Sequence, residues 1–173
     1  MLDGRSLVYY SLGPWYDLAR PQHQLVRVFA RQNKVLFVER YPYLRSSLDR
    51  LRRGQLRWAD LAHPCLEAIS ENLSVYRPPI WACICGHPAL RPLSRLSRQL
   101  FIARAMRRLG MSRPIVWFSM PGMLELCDDI PSASLRLYHV IDEYAGYHGH
   151  TAPSRQRLEQ NERAMMAMAD AVV

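Results

Sequence analysis

The sequence has a single lysine, few glycines and no long uncharged run, and each shortage excludes a class of protein. Lys34 is the only lysine among 23 basic residues, and the residue directly before it is not glycine. Glycine contributes only 8 of 173 residues, and no two glycines are separated by one residue. The phosphate-binding loops of P-loop enzymes and of dinucleotide-binding dehydrogenases need glycines at these positions. We therefore expect neither a P-loop kinase nor a dehydrogenase.

Long uncharged segments are equally scarce. The longest covers residues 78–90, has 13 residues and is interrupted by three prolines, whereas a membrane-spanning helix needs about 20 apolar residues. The N-terminus also lacks the basic segment and apolar run of a secretory signal. We therefore expect a cytoplasmic protein in which the cysteines are reduced thiols. The cysteines stand at positions 65, 83, 85 and 127.

Arginine is abundant, and acidic residues are fewer. Basic residues outnumber acidic ones by 23 to 15, which gives a net charge of +8 and a pI near 9.7. Such a charge attracts polyanions of any kind, although GC-rich coding produces the same arginine bias. No zinc-finger or RNP-type motif points to nucleic acid as the partner. A hydrophobic content of 49% indicates a globular chain, and the length predicts one domain.

Short apolar runs alternate with amphipathic segments along the chain. The apolar, β-branched and aromatic runs predict strands over 5–12, 34–39, 72–77, 114–119 and 135–141, and the closing ADAVV predicts the start of another. Helical periodicity predicts helices from Pro21, within 45–62, over 93–109 before Gly110, near 121–127, and over 154–169 with Ser154 as the N-cap. This alternation predicts a Rossmann-like α/β fold, a doubly wound and mostly parallel sheet with helices on both faces. Because the last strand is cut short, we expect residues 1–173 to be one domain of a longer protein.

Ligands of such sheets bind at the carboxyl ends of the strands, so the segments after the strands are site candidates. They are residues 13–16, 39–43, 119–122 and 142–147. The segment 138–150 (YHVIDEYAGYHGH) is the richest in acidic residues and histidines. A carboxylate such as Asp142 could accept a proton there from an incoming hydroxyl. The alternatives are a polar loop with a helix-capping acid, or a metal-binding carboxylate pair at residues 142–143.

Two further patterns indicate chemistry less specifically. Ser119 follows an apolar strand with Gly122 close behind, as at the nucleophile of a hydrolase, but Trp117 stands where this motif requires glycine. A small serine hydrolase is therefore only an alternative. Histidine and cysteine alternate at residues 63–65 and 83–87, but with a spacing that zinc knuckles do not use. We expect buried thiols, and no metal or cofactor.

The segment 91–113 contains seven arginines and no acidic residue. At helical spacing Leu93, Leu96 and Leu100 share one face, and arginines occupy the opposite one. Such a helix can rest on an anionic membrane surface, and a solvated basic face is the structural alternative. The arginines that we expect at a membrane surface are Arg91, Arg95, Arg98, Arg104, Arg107 and Arg108. A non-catalytic α/β module that binds an anionic membrane or another polyanion through this helix is thus a second functional hypothesis.

A series of motifs resembles a known family in order and spacing. The motifs are Ser11-Leu-Gly-Pro-Trp15, Arg20-Pro-Gln-His23, Lys34-Val-Leu-Phe-Val-Glu39, ENLSVYRPP at 71–79, RPIVW at 113–117, YHVIDEY at 138–144 and the closing ADAVV. This series is similar to the N-terminal domain of bacterial GT-B glycosyltransferases, in particular the family-4-like set that includes teichuronic acid and exopolysaccharide enzymes. The resemblance covers the chain from about residue 6 to its end.

The resemblance implies a two-domain enzyme with its active site between two Rossmann-like halves. This half would bind the acceptor, a glycan or a lipid-linked saccharide, and a missing C-terminal half would bind the nucleotide-sugar donor. No metal or other cofactor is implied. The basic helix within 91–113 fits an acceptor that is carried on a membrane lipid, so we expect a cytoplasmic enzyme attached peripherally to the inner face of the cell membrane.

The resemblance further implies roles for individual residues. Asp142 would be the catalytic base of an inverting enzyme, or would orient the acceptor in a retaining enzyme. His139 departs from the family pattern at its position. The residues that would bind substrate are Gly13, Trp15, Arg20, Gln22, His23, His139, Glu143 and Tyr144.

Overall fold

A seven-stranded sheet forms the centre of the computed structural model, which describes residues 4–17, 21–55, 66–141 and 151–173. The strands are β1 (Ser6–Tyr10), β2 (Lys34–Val38), β3 (Leu66–Ser70), β4 (Leu73–Tyr76), β5 (Ile115–Phe118), β6 (Leu135–Tyr138) and β7 (Ala171–Val172). They lie in the order β3-β4-β2-β1-β5-β6-β7. The chain thus builds one half of the sheet outward from β1 and then returns to build the other half from β5. This is a doubly wound arrangement, as predicted.

Four α-helices connect the strands within the described residues: α1 (Pro21–Phe29), α2 (Leu44–Arg52), α3 (Arg91–Arg108) and α4 (Ala152–Met168). Short 3-10 helices, Pro88–Leu90 and Pro121–Leu126, precede α3 and follow β5. The predicted elements are present with ends shifted by a few residues. The N-cap of α4 is Thr151 rather than Ser154, since proline at 153 fits the first turn of a helix.

The sheet is mostly parallel, with β1 at its centre. Five of its six strand pairings are parallel. The exception is β3, which the sequence pattern does not predict and which pairs antiparallel with β4 at the edge. Its residues are only partly buried, so it lacks the continuous apolar run that is typical of strands covered on both faces. Only two residues separate β3 from β4, and so short a connection requires antiparallel strands.

The sheet separates two hydrophobic cores. Side chains of a strand alternate between the faces, and β1 therefore contributes to both cores. Tyr10 shares one core with Ile102 of α3 and Met165 of α4. Tyr9 shares the other core with Val26 of α1. Helices thus cover both faces of the sheet, which confirms the predicted fold class.

A left-handed glycine ends α3 and directs the chain into β5. Gly110 has a φ of +62°, and its N–H donates to the Arg107 carbonyl at 3.1 Å. The Met111 N–H donates to the Met106 carbonyl at 2.9 Å. These two bonds form a Schellman motif, in which glycine is favoured because it has no Cβ. The predicted helix stop is therefore confirmed at this residue.

No helix within the described ranges is long and apolar enough to cross a bilayer. The longest, α3, has 18 residues, and six of them are arginines. The expectation that residues 1–173 are one domain of a longer protein stays a prediction.

Candidate active-site cleft

A cleft of about 420 Å³ opens at the carboxyl ends of the central strands. Its walls come from residues 10–12 after β1, 39–43 after β2 and 120–126 after β5, and Ile84 lies at one side. The sheet changes its winding direction between β1 and β5, and doubly wound folds bind ligands at that point. Clefts of about 530 and 540 Å³ lie at the amino ends of the strands, where this rule does not place a site.

Two of the segments predicted from strand ends line this cleft. They are residues 39–43 and part of 119–122. The segment 13–16 does not line it, because the residues next to β1, Ser11 and Leu12, take that place. The segment 142–147 lies outside the described residues.

Aromatic side chains form the floor of the cleft. Tyr10 stacks on Phe118 with ring centroids 5.1 Å apart, and its ring lies 6.2 Å from that of Tyr41. Tyr41 in turn contacts Tyr76 at 6.5 Å. Each of these residues ends a strand or follows one closely, so the parallel strands bring them together. We call this group the aromatic floor.

The aromatic floor carries neutral hydroxyl groups. Burial raises the pKa of Tyr10 and of Tyr41 well above the usual value, so both phenols are protonated at neutral pH. Their hydroxyls contact each other without the alignment of a full hydrogen bond, and neither has another partner among the described residues. A buried hydroxyl without a good partner is unfavourable.

Glu39 is the charged wall of the cleft and holds the loop after β1. Its carboxylate accepts a 2.8 Å hydrogen bond from the Trp15 N–H and lies 3.6 Å from Arg77 Nε. Arg77 also pairs with Glu67, which accepts a 2.6 Å hydrogen bond from the Tyr16 hydroxyl. The bond from Tyr16 lowers the pKa of Glu67, so the carboxylate stays charged. These contacts fix the loop to β2, β3 and β4.

Trp15 and His23 pack in the core and do not line the cleft. Both are buried, and their rings meet edge to face at 5.0 Å. Both rings also pack on Phe37 in the core under α1, whereas the cleft lies on the other face of the sheet. Their assignment to substrate binding stays a prediction. Gly13 and Gln22 are half-buried outside the cleft, and their assignment stays a prediction.

His139 also lies on the α1 face of the sheet. Its N–H donates to the Phe118 carbonyl at 2.8 Å, and its ring packs edge-on against Trp117 at 5.6 Å. Nδ1 of His139 is buried and has no hydrogen-bond partner within the part of the chain that the structure describes. This side chain therefore does not line the cleft. The remaining predicted site residues, which lie outside the described residues and stay predictions, are Arg20, Asp142, Glu143 and Tyr144.

One of the arginines predicted at a membrane surface is inside the protein. Arg98 is only 3% exposed, and its Nε donates to both carboxylate oxygens of Asp129 at 3.1 and 2.8 Å. Its terminal nitrogens donate to the Ser94 hydroxyl and the Glu125 carbonyl. The assignment of Arg98 to the surface is therefore wrong, because the side chain ties α3 to the segment after β5. The other predicted arginines are exposed, namely Arg91, Arg95, Arg104, Arg107 and Arg108.

The free energy of unfolding should change with pH because Asp129 titrates. Burial raises the pKa of Asp129 from 3.8 to about 6, although Arg98 opposes this effect. The folded state therefore holds the proton more tightly than the unfolded state. The resulting stabilisation is complete below about pH 4 and is lost as the pH rises through about 6.

We expect wild-type protein to lose about 2 kcal/mol of unfolding free energy relative to Asp129→Asn between pH 4 and pH 7. Urea unfolding of both proteins at the two pH values measures the difference. If wild type instead gains stability relative to the variant as the pH rises, the charge of Arg98 controls the carboxyl group and the expected sign is wrong.

The alternatives of hydrolase and zinc site gain no support from the described residues. Ser119 is buried, and Arg113 is the only described non-glycine residue with a positive φ. Ser119 therefore does not sit on the strained turn of a hydrolase nucleophile. Three of the cysteines are buried free thiols, as predicted, and no three metal-ligating side chains cluster within the described ranges.

Sequence reasoning missed the aromatic floor as a candidate binding surface. A signal was present, since Tyr10 ends a strand run, Tyr41 follows another and Tyr76 ends a third. Aromatic residues are also typical of buried strand positions, so their position at the strand ends was not distinctive by itself. The predicted segment 39–43 contains Glu39, but no role was assigned to its carboxylate.

Comparison with known proteins shows the fold. No protein-family model matches the chain, and no curated protein is significantly similar to it in sequence. Among solved structures, the chain is similar to the sucrose-phosphate synthase of Thermosynechococcus elongatus, with a TM-score of 0.55 and 13% sequence identity. The match covers 97% of this chain but only 41% of that enzyme. The likeness is therefore one of α/β architecture over less than half of the synthase.

Proposed function

We propose that the chain is the acceptor-binding half of a GT-B glycosyltransferase. It would transfer a sugar from a nucleotide-sugar donor to a glycan or lipid-linked acceptor, in the cytoplasm and in polysaccharide biosynthesis. The observation that carries the proposal is the cleft at the ends of β1, β2 and β5, which offers the Glu39 carboxylate without a glycine-rich phosphate loop. The motif series and the architecture shared with an enzyme named for making sucrose phosphate add support.

The chemistry of the proposed reaction assigns work to a few groups. The acceptor hydroxyl oxygen bonds to the anomeric carbon of the sugar, and the bond from that carbon to the diphosphate oxygen breaks. The nucleoside diphosphate leaves with the electron pair. In an inverting enzyme Asp142 takes the acceptor proton. In a retaining enzyme Asp142 orients the acceptor, and the departing diphosphate oxygen takes the proton. The Glu39 carboxylate, which lines the cleft, can accept hydrogen bonds from sugar hydroxyls.

The test is acceptor-dependent release of nucleoside diphosphate by the full product of the reading frame that contains this chain. UDP- and GDP-linked hexoses would be offered with a bacterial lipid extract or with short oligosaccharides. We expect release only when an acceptor is present, together with a product that is one hexose heavier by mass spectrometry. Absence of release and of product across the panel would contradict the proposal.

A phenylalanine at position 122 should block the cleft without unfolding the protein. Gly122 lines the cleft, it is exposed, and a Cβ built on it meets nothing within 4 Å. Gly122→Phe therefore fills space that an acceptor would occupy, and the loss of shape complementarity should raise the acceptor KM by roughly tenfold or more. Steady-state kinetics at fixed donor concentration measure the change.

The matched control for this variant is Gly86→Phe. Gly86 is also exposed and free of contacts within 4 Å of a built Cβ, but it does not line the cleft. Its acceptor KM should stay within about twofold of wild type, since surface substitutions away from a site are nearly neutral. Equal effects of the two variants would mean that the acceptor binds elsewhere.

A further inference from the structure

The outward face of α3 carries a row of leucines that no described residue covers. Leu93, Leu96 and Leu100 are 66%, 51% and 61% exposed, and their spacing places them on one face of the helix. Trp81 is 66% exposed and adjoins the same helix, because the Ser97 hydroxyl donates to the Trp81 carbonyl at 2.6 Å. Single exposed leucines are ordinary, but a continuous apolar patch marks an interaction surface.

The same face becomes basic toward the C-terminal end of α3. Arg104 and Arg107 continue the leucine row along the helix, and both are exposed. No acidic residue occurs in α3 to neutralise them. Arg95 differs from them, since it lies off this row and pairs with Asp128 at 2.9 Å. The row therefore has an apolar half and a basic half. Within the described part of the chain, the arginines of the basic half form no salt bridge.

We propose that this face docks on an anionic lipid bilayer with α3 parallel to the membrane plane. The lipid face consists of Trp81, Leu93, Leu96, Leu100, Arg104 and Arg107. The apolar half enters the boundary between headgroups and acyl chains, while the arginines contact lipid phosphates. An 18-residue helix is about 27 Å long, so both halves can contact the surface together.

The charge of the chain favours an anionic bilayer over a second copy of the chain as the partner of the lipid face. The chain has a net charge of +8, so two copies repel each other before their leucines meet. An anionic bilayer instead attracts the arginines and offers an apolar layer to the leucines. This docking goes beyond the proposed glycosyl transfer and does not depend on it.

The leucine half of the lipid face lies at the same edge of the sheet as the cleft. A helix that connects parallel strands runs opposite to them, so the N-terminal half of α3 is near the carboxyl ends of the strands. The Ser94 hydroxyl donates to the Cys83 carbonyl at 2.6 Å, and the next residue, Ile84, lines the cleft. Docking would thus bring the cleft close to the headgroups.

Vesicle binding by the 173-residue chain tests the docking. The protein would be sedimented with vesicles of phosphatidylcholine alone and of equimolar phosphatidylcholine and phosphatidylglycerol, at low and high salt. We expect binding only to the vesicles that contain phosphatidylglycerol, with weakening at high salt. Equal binding to both vesicle types, or none to either, would overturn the proposal.

Variants locate the contact on α3. The triple change Leu93→Ser, Leu96→Ser and Leu100→Ser should lower the partition coefficient at least about tenfold. The double change Arg104→Gln and Arg107→Gln should lower it by roughly tenfold as well. The matched control changes an exposed apolar residue of α1 and an exposed basic residue just after it, on the opposite face of the sheet, namely Val28→Ser and Arg31→Gln. It should bind like wild type.

Fluorescence gives a second readout that needs no change in the leucines. The experiment uses a Trp58→Phe background, because Trp58 lies outside the described residues and Trp15 and Trp117 are buried. Brominated lipids should quench part of the tryptophan emission of this background, and this part should vanish when Trp81→Phe is added. Quenching that is identical in Trp81→Phe would overturn the proposed contact. A leucine variant that binds vesicles normally but changes the oligomeric state in analytical ultracentrifugation would assign the face to self-association and overturn the proposal as well.

Discussion

Replacing Arg98 with alanine is expected to lower the free energy of unfolding by about 3–5 kcal/mol, because it leaves the buried carboxylate of Asp129 without its counter-charge. Asp129 is only 1% exposed, and its hydrogen bonds with Arg98 connect α3 to the segment that follows β5. The variant should also lose the contacts to Ser94 and Glu125. Urea denaturation at pH 7, followed by circular dichroism, measures the loss.

Arg95→Ala is the matched control for this prediction. Arg95 stands on the same helix and pairs with Asp128 at 2.9 Å, but both side chains are about half exposed. Exposed ion pairs contribute less than about 1 kcal/mol, so the control should unfold near the wild-type midpoint. Equal losses in the two variants would mean that burial of the Arg98 pair is not what makes it important.

The Asp142→Asn substitution is expected to lower kcat for glycosyl transfer by about 10²–10⁴-fold, which is the contribution of a positioned general base. The asparagine amide has nearly the same shape as the carboxylate but cannot accept the acceptor proton. The acceptor KM should change little, since binding does not need the proton transfer. The assay is the acceptor-dependent release of nucleoside diphosphate by the full reading-frame product.

Glu143→Gln serves as the control because it neutralises the adjacent carboxylate. We expect a kcat within about tenfold of wild type for this variant, since only one group can take the proton. A kcat for Asp142→Asn that also stays within tenfold would remove Asp142 as the base. If its acceptor KM rises instead, the residue orients the acceptor, as the retaining alternative requires.

Local sequence patterns predicted most of the strands and helices but not the edge strand β3. The run Lys34–Val38 is apolar after its first residue, which is typical of a strand with helices on both faces, and the structure places it beside β1. The strand Leu66–Ser70 has no such run, because it is partly exposed. Its place in the sheet depends on the pairing with β4, and a strand that is stabilised by its neighbour carries little signal of its own.

The position of the cleft was predictable, but the side chains that line it were not. Strand ends in a parallel sheet meet at one edge, so Tyr10 and Glu39 follow from topology. Trp15 and His23 belong to the same part of the sequence, but their side chains pack in the core between α1 and the sheet. A single residue of strand register exchanges the two faces of a sheet, and the motif alone does not say on which face a loop residue packs.

The sequence by itself determined the order of the elements other than β3, and the doubly wound α/β class, whose members bind ligands at the carboxyl ends of the strands. These properties depend on hydrophobic period and turn residues, which act over a few neighbouring positions. Only the tertiary structure decided that Arg98 is buried while Leu93, Leu96 and Leu100 are exposed. Helical period shows which residues share a face, but the face that turns inward depends on what the sheet and the segment after β5 present to it.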